Sequence, residues 1–445
     1  MSAGDWWPGR RPWVFGFLLL ALLAATARFV HSAFVLELFE PVWLGEVMSP
    51  LIEFILGGTP ITLDSLANRS YGVVAYAVMD PVLRLWGRDA TAIGVWTTLL
   101  ALASLVGAYL LLARLYFPKQ RTAQLLMAIA WISFAPLIYS FSMRHIDLWE
   151  LFLLAVSLTL LLGPGRRWSG VPLAAAFLAK LLPAVVLAYV FLRERGARVA
   201  SLATVALLLL LGQLLYGPAL GLQYPWFLAT TAGDTAYQYS FHHENNSLRG
   251  MVFKLAAGFE MQPNSAEIVH PPHPHLLNLL VQFLSLLLLG YLAFVSWRGR
   301  NDSRLERRSI EFALAVTTMM LVAPHLALEH IVPMLLVFSI LAWHAATHRS
   351  AWSRTQVGVM LTAAVLIGCF VPLSLLARAL FVPTLMRWTG NEDALFFGPT
   401  IGSYALLCFA GLGILLTWGI LARIEFRMHR AANSGATSSG PHEAI

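Results

Sequence analysis

Residues 166–198 read RRWSGVPLAAAFLAKLLPAVVLAYVFLRERGAR. The stretch is apolar through its middle and basic at both ends, with Arg166 and Arg167 before it and Arg193, Arg195 and Arg198 after it. It is broken at Lys180-Leu181-Leu182-Pro183, where proline removes a backbone donor and ends a helix. Lys and Arg accumulate on the cytoplasmic side of membrane segments, so both ends are read as lying on one side. The stretch is therefore expected to be two short helices forming a hairpin, with the break near Pro183 and irregular backbone tolerated where protein buries it.

Outward from this hairpin the chain is dominated by apolar runs. Of its 445 residues 58% are hydrophobic and 12% charged, and the mean hydropathy is +0.70. Soluble domains carry about 25% charged residues, so the composition is that of a polytopic membrane protein. Spans are expected at about 12–31, 92–115, 122–142, 147–163, 199–216, 276–297, 309–324, 331–347, 355–376 and 401–422, each near the ~20 residues that cross a bilayer. The first is read as an uncleaved helix, although Ala25-Thr26-Ala27 resembles a signal-peptidase site. The net charge of +7 is spread in short clusters between apolar runs, which argues against a nucleic-acid partner. Cys369 and Cys408 both lie in apolar runs and read as inert packing residues.

With the N-terminus inside, this assignment puts Arg114/Lys119/Arg121, Arg166/Arg167, Arg193–Arg198, Arg298–Arg308, Arg349/Arg354 and Arg423/Arg427/Arg430 on one side. The other side receives about 32–91, 143–146, 217–275, 325–330 and 377–400, which hold most of the carboxylates and histidines. Chemistry is expected at that outer face. The reading is a single transmembrane domain over 1–430, with a first outer loop at about 32–91, a large outer loop at about 217–275 and a disordered cytoplasmic tail at 431–445.

Several polar groupings stand out. The first outer loop carries Glu37, Glu40, Glu46, Glu53 and Asp64 among apolar residues, then Gly57-Gly58, then Tyr71-Gly72-Val73-Val74 and an apolar stretch ending at Asp80-Pro81. It is either a solvated interfacial segment or the source of a functional carboxylate. Arg144-His145-Ile146-Asp147 lies at a span boundary, as an interfacial anchor, an internal Arg–Asp pair, or a phosphate or sugar contact. Lys180 at the hairpin break either snorkels or pairs internally, or meets a lipid phosphate. The stretch Phe241-His242-His243-Glu244-Asn245-Asn246-Ser247-Leu248-Arg249-Gly250 is dense in hydrogen-bonding groups, and His243, Asn246 and Arg249 are its binding candidates. His270, His273 and His275 match no metal-ligand spacing, so no metal is expected. Pro324-His325 through His330 is either a capped turn or part of the same cavity. No Gly-Lys-Ser/Thr phosphate loop, Gly-x-Ser-x-Gly elbow or His-Glu-x-x-His is present, and no repeat between halves is visible.

Taken in order, four of these groupings resemble the GT-C superfamily of polyprenyl-phosphate-dependent glycosyltransferases, nearest its bacterial mannosyltransferase branch. They are an acidic residue some dozen positions before Gly58-Thr59-Pro60-Ile61, followed by Tyr71-Gly72-Val73-Val74; Ala179-Lys180-Leu181-Leu182-Pro183; Asn246-Ser247-Leu248-Arg249-Gly250; and Val322-Ala323-Pro324-His325 through His330. The chain departs from the pattern with Glu46 where Asp is usual, Asn246 where Gln is usual and Leu328 where Trp is usual. The resemblance implies an all-α bundle of about ten to twelve transmembrane helices with outer loops and interfacial helices. It implies an inverting transfer of a sugar, mannose or a pentose, from a polyprenyl phosphate to a glycolipid or glycan acceptor at the outer face of a bacterial inner membrane, with both termini cytoplasmic. It implies no metal or other cofactor. Glu46 is expected as the base, with Glu40 and Glu53 as rivals, and Arg144, Asp147, Lys180, His243, Asn246, Arg249 and His330 as donor-binding residues. A transporter or flippase of a lipid-linked sugar, or a headgroup-binding scaffold, would need a similar polar cavity without a base.

Overall fold

A computed structural model describes residues 12–30, 49–66, 72–142, 145–227, 239–242, 244–258, 267–368 and 409–433. Glu40, Glu46, Arg144, His243 and both cysteines lie outside these residues. Among the described residues the secondary structure is helical, apart from one isolated antiparallel bridge between His242 and Glu267.

The helices are α1 (Pro12–Val30), α2 (Ser49–Gly57), α3 (Val73–Trp86), α4 (Ala90–Tyr116), α5 (Arg121–Ile132), α6 (Ala135–Ser142), α7 (Asp147–Leu162), α8 (Gly170–Ala179), α9 (Ala184–Arg193) and α10 (Arg195–Tyr216). They continue with α11 (Leu248–Ala256), α12 (Pro274–Gly299), α13 (Leu305–Val322), α14 (Met334–Thr347), α15 (Arg354–Gly368) and α16 (Phe409–Asn433). These follow the apolar runs closely. The hairpin forms as expected: α8 ends at Ala179, Lys180 is extended (φ −156°, ψ 139°), and α9 begins after Pro183. Pro81 does not end α3, which runs on to Trp86, with Asp80 and Arg84 pairing at 2.8 Å one turn apart. The last helix reaches Asn433, three residues into the stretch read as a tail.

Among the described residues four helical segments are long and apolar enough to cross a membrane: Thr91–Tyr116, Arg195–Tyr216, Pro274–Gly299 and Leu328–Thr347. A fifth arises if α5 and α6 form one span, bent by 61° at its break. Pro136 in the first turn of α6 supplies no donor to the preceding turn, which favours that break. The other expected spans are shorter or carry charges near their ends, and those at 355–376 and 401–422 lie partly outside the described residues.

The bundle is organised around α13. Every side chain from Arg307 to Leu321 is buried, and the helix packs against α7, α9, α11, α12, α14 and α16. Its 18 residues extend ~27 Å, close to the ~30 Å hydrocarbon thickness. One end is held by charge pairs: Arg193 Nε and Arg307 Nε each lie 2.8 Å from Glu311, Arg307 Nη2 lies 2.8 Å from Glu425, and Arg308 Nη2 lies 2.8 Å from Glu194. Buried pairs gain little net stability over apolar packing because desolvation offsets the attraction. Breaking one is costly, so they fix how α9, α13 and α16 meet. The opposite end of α13 runs into the turn that carries His325 and His330.

Candidate active site

Three residues that the sequence marked separately converge at this second end. Lys180 Nζ lies 2.6 Å from Asp147 Oδ1 and 2.8 Å from His330 Nδ1, and His330 Nδ1 lies 3.1 Å from Asp147 Oδ2. His145 Nδ1 also meets Asp147 Oδ2. The Asp147 side chain is fully buried and that of Lys180 is 10% exposed. The lysine and aspartate therefore neutralise one another where solvent is excluded.

Local structure explains each position. Asp147 opens α7, where the unpaired N–H groups of a helix start favour a carboxylate. Lys180 sits at the extended break between α8 and α9, so its side chain leaves the hairpin axis instead of lying along a helix. The break is clamped by Gly72, whose N–H donates to the Ala179 carbonyl at 3.1 Å. A Cβ on Gly72 would collide with the Leu178 carbonyl, which accounts for the glycine of the Tyr-Gly-Val-Val motif. His330 is carried by the short turn Leu328–Ile331 that leads into α14.

Asn245 and Asn246 strap the segment before α11 to the same place. Asn246 N–H donates to the Leu326 carbonyl at 2.8 Å, Asn245 Nδ2 donates to the Pro324 carbonyl at 3.0 Å, and Asn245 Oδ1 accepts from Leu326 N–H at 3.1 Å. Ser247 then caps α11, its hydroxyl accepting from Gly250 N–H. A Cβ on Gly250 would collide with the Asn245 carbonyl, so the glycine of Asn-Ser-Leu-Arg-Gly is also there for a close backbone approach. Asn246 Oδ1 is buried and lacks a partner among the described residues, leaving an open acceptor.

The strap completes a row of imidazoles. Ring centroids are 5.4 Å apart for His242 and His325, 5.9 Å for His325 and His330, and 5.2 Å for His330 and His145. Burial, reinforced by His330 and His242, pushes the His325 imidazole well below its ordinary pKa, so it stands neutral beside the Lys180 ammonium. Glu244 and Glu329 flank the row. Burial, with the Glu329 charge beside it, pushes the Glu244 carboxyl up to about 7.

Among the expected site residues, the structure joins Asp147, Lys180 and His330 directly and Asn246 through the Leu326 backbone. Arg249 borders a neighbouring groove. Its guanidinium donates to Ser240 Oγ at 2.9 Å and Asn278 Oδ1 at 2.7 Å. That groove has a volume of about 400 Å³ and runs between α12 and the end of α13, lined by Leu286, Leu289, Leu321 and Pro324 beside Arg249. Glu53 is exposed on α2 and makes no contact with the Asp147 cluster among the described residues.

Sequence reasoning passed over Glu150. It lies one turn beyond Asp147 on α7, is 4% exposed, and has no hydrogen-bond partner for either carboxylate oxygen among the described residues. Its signal was the i, i+3 spacing from Asp147, which puts both carboxyls on one helix face. His242 was outweighed by its neighbour His243. His145, Glu329 and His330 can each offer one ligand atom within 4.8 Å of the others, a set able to hold a cation. Lys180 already supplies a cation 2.8 Å from His330. His330 Nε2 faces Glu329 at 3.9 Å.

The family model described as glycosyltransferase family 87 matches residues 70–324, more than half of the chain, and the protein belongs to that family. This bears out the resemblance to membrane glycosyltransferases and decides for transfer over the transport reading. No curated protein matches. Among solved structures the chain is similar to ArnT from Cupriavidus metallidurans in the apo state, with 17% identity, 96% of this chain and 81% of that chain covered, and a TM-score of 0.43. It is similar also to ArnT from Cupriavidus metallidurans bound to undecaprenyl phosphate, with 16% identity, the same coverage of 96% and 81%, and a TM-score of 0.42.

Proposed function

We propose that this glycosyltransferase takes its sugar, mannose or a pentose, from a polyprenyl phosphate and passes it with inversion to a glycolipid or glycan acceptor at the outer face of a bacterial inner membrane. The observation that carries this reading is the buried Asp147–Lys180–His330 cluster at the end of the apolar bundle. An ammonium has three N–H donors. Asp147 and His330 engage two, at 2.6 and 2.8 Å, and the third is available to a phosphate oxygen. A lipid-linked donor brings its phosphate to this depth with its chain among apolar helices, and the groove beside Arg249 offers an apolar wall ending in a guanidinium.

In the reaction the bond from the anomeric carbon to the phosphate oxygen breaks, and a bond forms from the same carbon to the acceptor oxygen. The polyprenyl phosphate leaves with its electron pair, and Lys180 offsets the charge that gathers there in a water-poor setting. Phosphate leaves without being protonated, so one carboxylate suffices to take the acceptor proton. Motif order favours Glu46 for that role. Glu40 and Glu53 stay its rivals from the sequence, and Glu244 joins them, because a carboxyl pushed up to about 7 is matched to proton transfer near neutrality. The residues are read as working without a metal.

The test is transfer by purified protein in detergent, with polyprenyl-phosphate mannose or pentose as donor and extracted glycolipids as acceptor, read by mass spectrometry. A gain of one sugar on the acceptor, lost in Lys180→Met, is expected. Product from a nucleotide-sugar donor and none from either lipid-linked donor would overturn the proposal.

A further inference from the structure

At the end of the bundle remote from the Asp147 cluster, a hollow of about 930 Å³ opens among the turn after α7, the junction of α9 with α10, and the end of α12. Its charged lining is dominated by arginine. Arg193 and Arg308 on its wall are matched by Glu311 and Glu194. Arg166, Arg167, Arg195, Arg198 and Arg300 line it as well, all five exposed, and Glu194 is its sole lining carboxylate. Guanidinium groups stay charged at any working pH. Five of them drawn from three separate segments onto one concavity make a strongly positive surface that favours an anion.

The location narrows the anion. Two segments able to cross a membrane end here: Arg195 begins α10, and Gly299 ends α12 immediately before Arg300. The hollow thus sits where the bilayer's hydrocarbon gives way to headgroups. Its wall also carries apolar side chains turned outward, Trp297 at 60% exposure and Leu192 at 41%. Arg300 lies over the Trp297 ring at 5.6 Å, which keeps that guanidinium at the rim. Forked guanidinium donors suit phosphate oxygens, and adjoining apolar surface suits acyl chains.

We infer that this hollow is a binding site for an anionic phospholipid whose headgroup carries two phosphates. One phosphate satisfies two or three guanidiniums, and the five arginines call for a second. The site is separate from the catalytic end and does not depend on the sugar or the acceptor. It is joined to that end by α13, whose first turns hold the Arg308 and Glu311 pairs and whose last turn leads to His325 and His330. Basic loops also arise from the general accumulation of positive charge on one side of a membrane protein. That bias requires no hollow and no headgroup preference, so the two explanations separate experimentally.

The experiment is native mass spectrometry of the full-length protein in detergent, titrated with diphosphatidylglycerol, phosphatidylglycerol, phosphatidylcholine or inorganic pyrophosphate. One diphosphatidylglycerol per chain is expected to persist where phosphatidylcholine is lost, with phosphatidylglycerol intermediate. Replacing Arg195, Arg198 and Arg300 with Gln should weaken that retention about a hundredfold, since each arginine near a charged headgroup contributes roughly fivefold. Replacing them with Lys should weaken it less, because charge is kept and only the fork is lost. Neutralising Arg114, Lys119 and Arg121, exposed at the same end but outside the hollow, should change nothing. Equal retention by the Gln variant, equal loss from the outside cluster, or no preference over phosphatidylcholine would overturn the site. Pyrophosphate binding with no lipid preference would overturn the lipid assignment.

Discussion

Replacing Lys180 with Met tests the site most directly. The ammonium lies 2.6 Å from an Asp147 oxygen, on a carboxylate whose side chain is fully buried. Removing one partner of a buried pair leaves the other charge uncompensated, at about 3–5 kcal/mol. Here the upper part of that range is softened, because His145 and His330 still meet Asp147. A loss near 3 kcal/mol is therefore expected in unfolding followed by tryptophan fluorescence in detergent. Adding Asp147→Asn removes the stranded charge, so the double variant should recover to within ~1 kcal/mol of the wild type, a coupling that only contacting residues show. Sugar transfer should behave differently. It should fall by about a hundred- to a thousandfold in Lys180→Met, the cost of losing one preorganised electrostatic partner, and it should stay lost in the double variant. Stability restored without activity separates the structural role of the pair from the chemical role of the lysine. Wild-type stability in Lys180→Met, or a double variant as unstable as the single one, would refute the ion-pair argument. Restored transfer in the double variant would remove Lys180 from the chemistry.

Glu244 carries a pH signature. Its carboxyl is raised from 4.5 to about 7 in the fold, so the folded state holds the proton more tightly. Folding is favoured by that group at low pH, and the contribution disappears as pH rises through about 7. Glu244→Gln should therefore be more stable than the wild type at pH 8 and gain nothing at pH 4, in paired denaturation curves; equal curves at both pH values would refute the burial argument. If Glu244 is also the base, kcat/KM should rise toward a plateau above about pH 7 in the wild type, and lose that rise in the Gln variant. Glu46→Gln should abolish transfer in the mass-spectrometric assay with folding unchanged, and near-normal product would exclude Glu46. Gly72→Ala and Gly250→Ala each place a methyl against a backbone carbonyl, so each should lose about 1–3 kcal/mol on unfolding, the usual cost of overpacking. Gly72→Ala should also impair transfer, since it presses on the segment that aims Lys180.

The helices were legible because their signal is local. A run of apolar residues bounded by arginines fixes a segment wherever the rest of the chain lies, and the break at Lys180–Pro183 follows from the missing proline donor. The 16 residues of α7 and the 18 of α13 fall on the runs read for them. Pro81 misled because a proline inside a helix is tolerated when one lost hydrogen bond is offset by burial. Val82 and Leu83 beside it are almost fully buried. The termination rule is a preference of a few kcal/mol that packing can exceed.

The site was legible only in pieces, and the reason lies in distance along the chain. Asp147 and Lys180 are 33 residues apart, and Lys180 and His330 are 150 apart. No periodicity reports contacts across such gaps. What the sequence does report is cost. A lysine between apolar helices, an aspartate at the start of another and a histidine in a turn between two more are each expensive alone. They become affordable together, because the charge of one is the solvation of the next. Arg249 obeyed the same logic with different partners, Ser240 and Asn278, so it stands at the neighbouring groove. Glu150 is the converse case. Beside the helix-opening Asp147 it went unremarked, yet both its carboxylate oxygens are buried without a hydrogen-bond partner among the described residues. A buried group left unsatisfied in an otherwise matched cluster costs stability that packing does not return. A ligand hydroxyl able to donate a hydrogen bond to it would recover that cost. Glu150→Gln should thus weaken donor or acceptor binding, read as a raised KM, while raising resistance to denaturant; a lowered stability with KM unchanged would make Glu150 an ordinary structural residue.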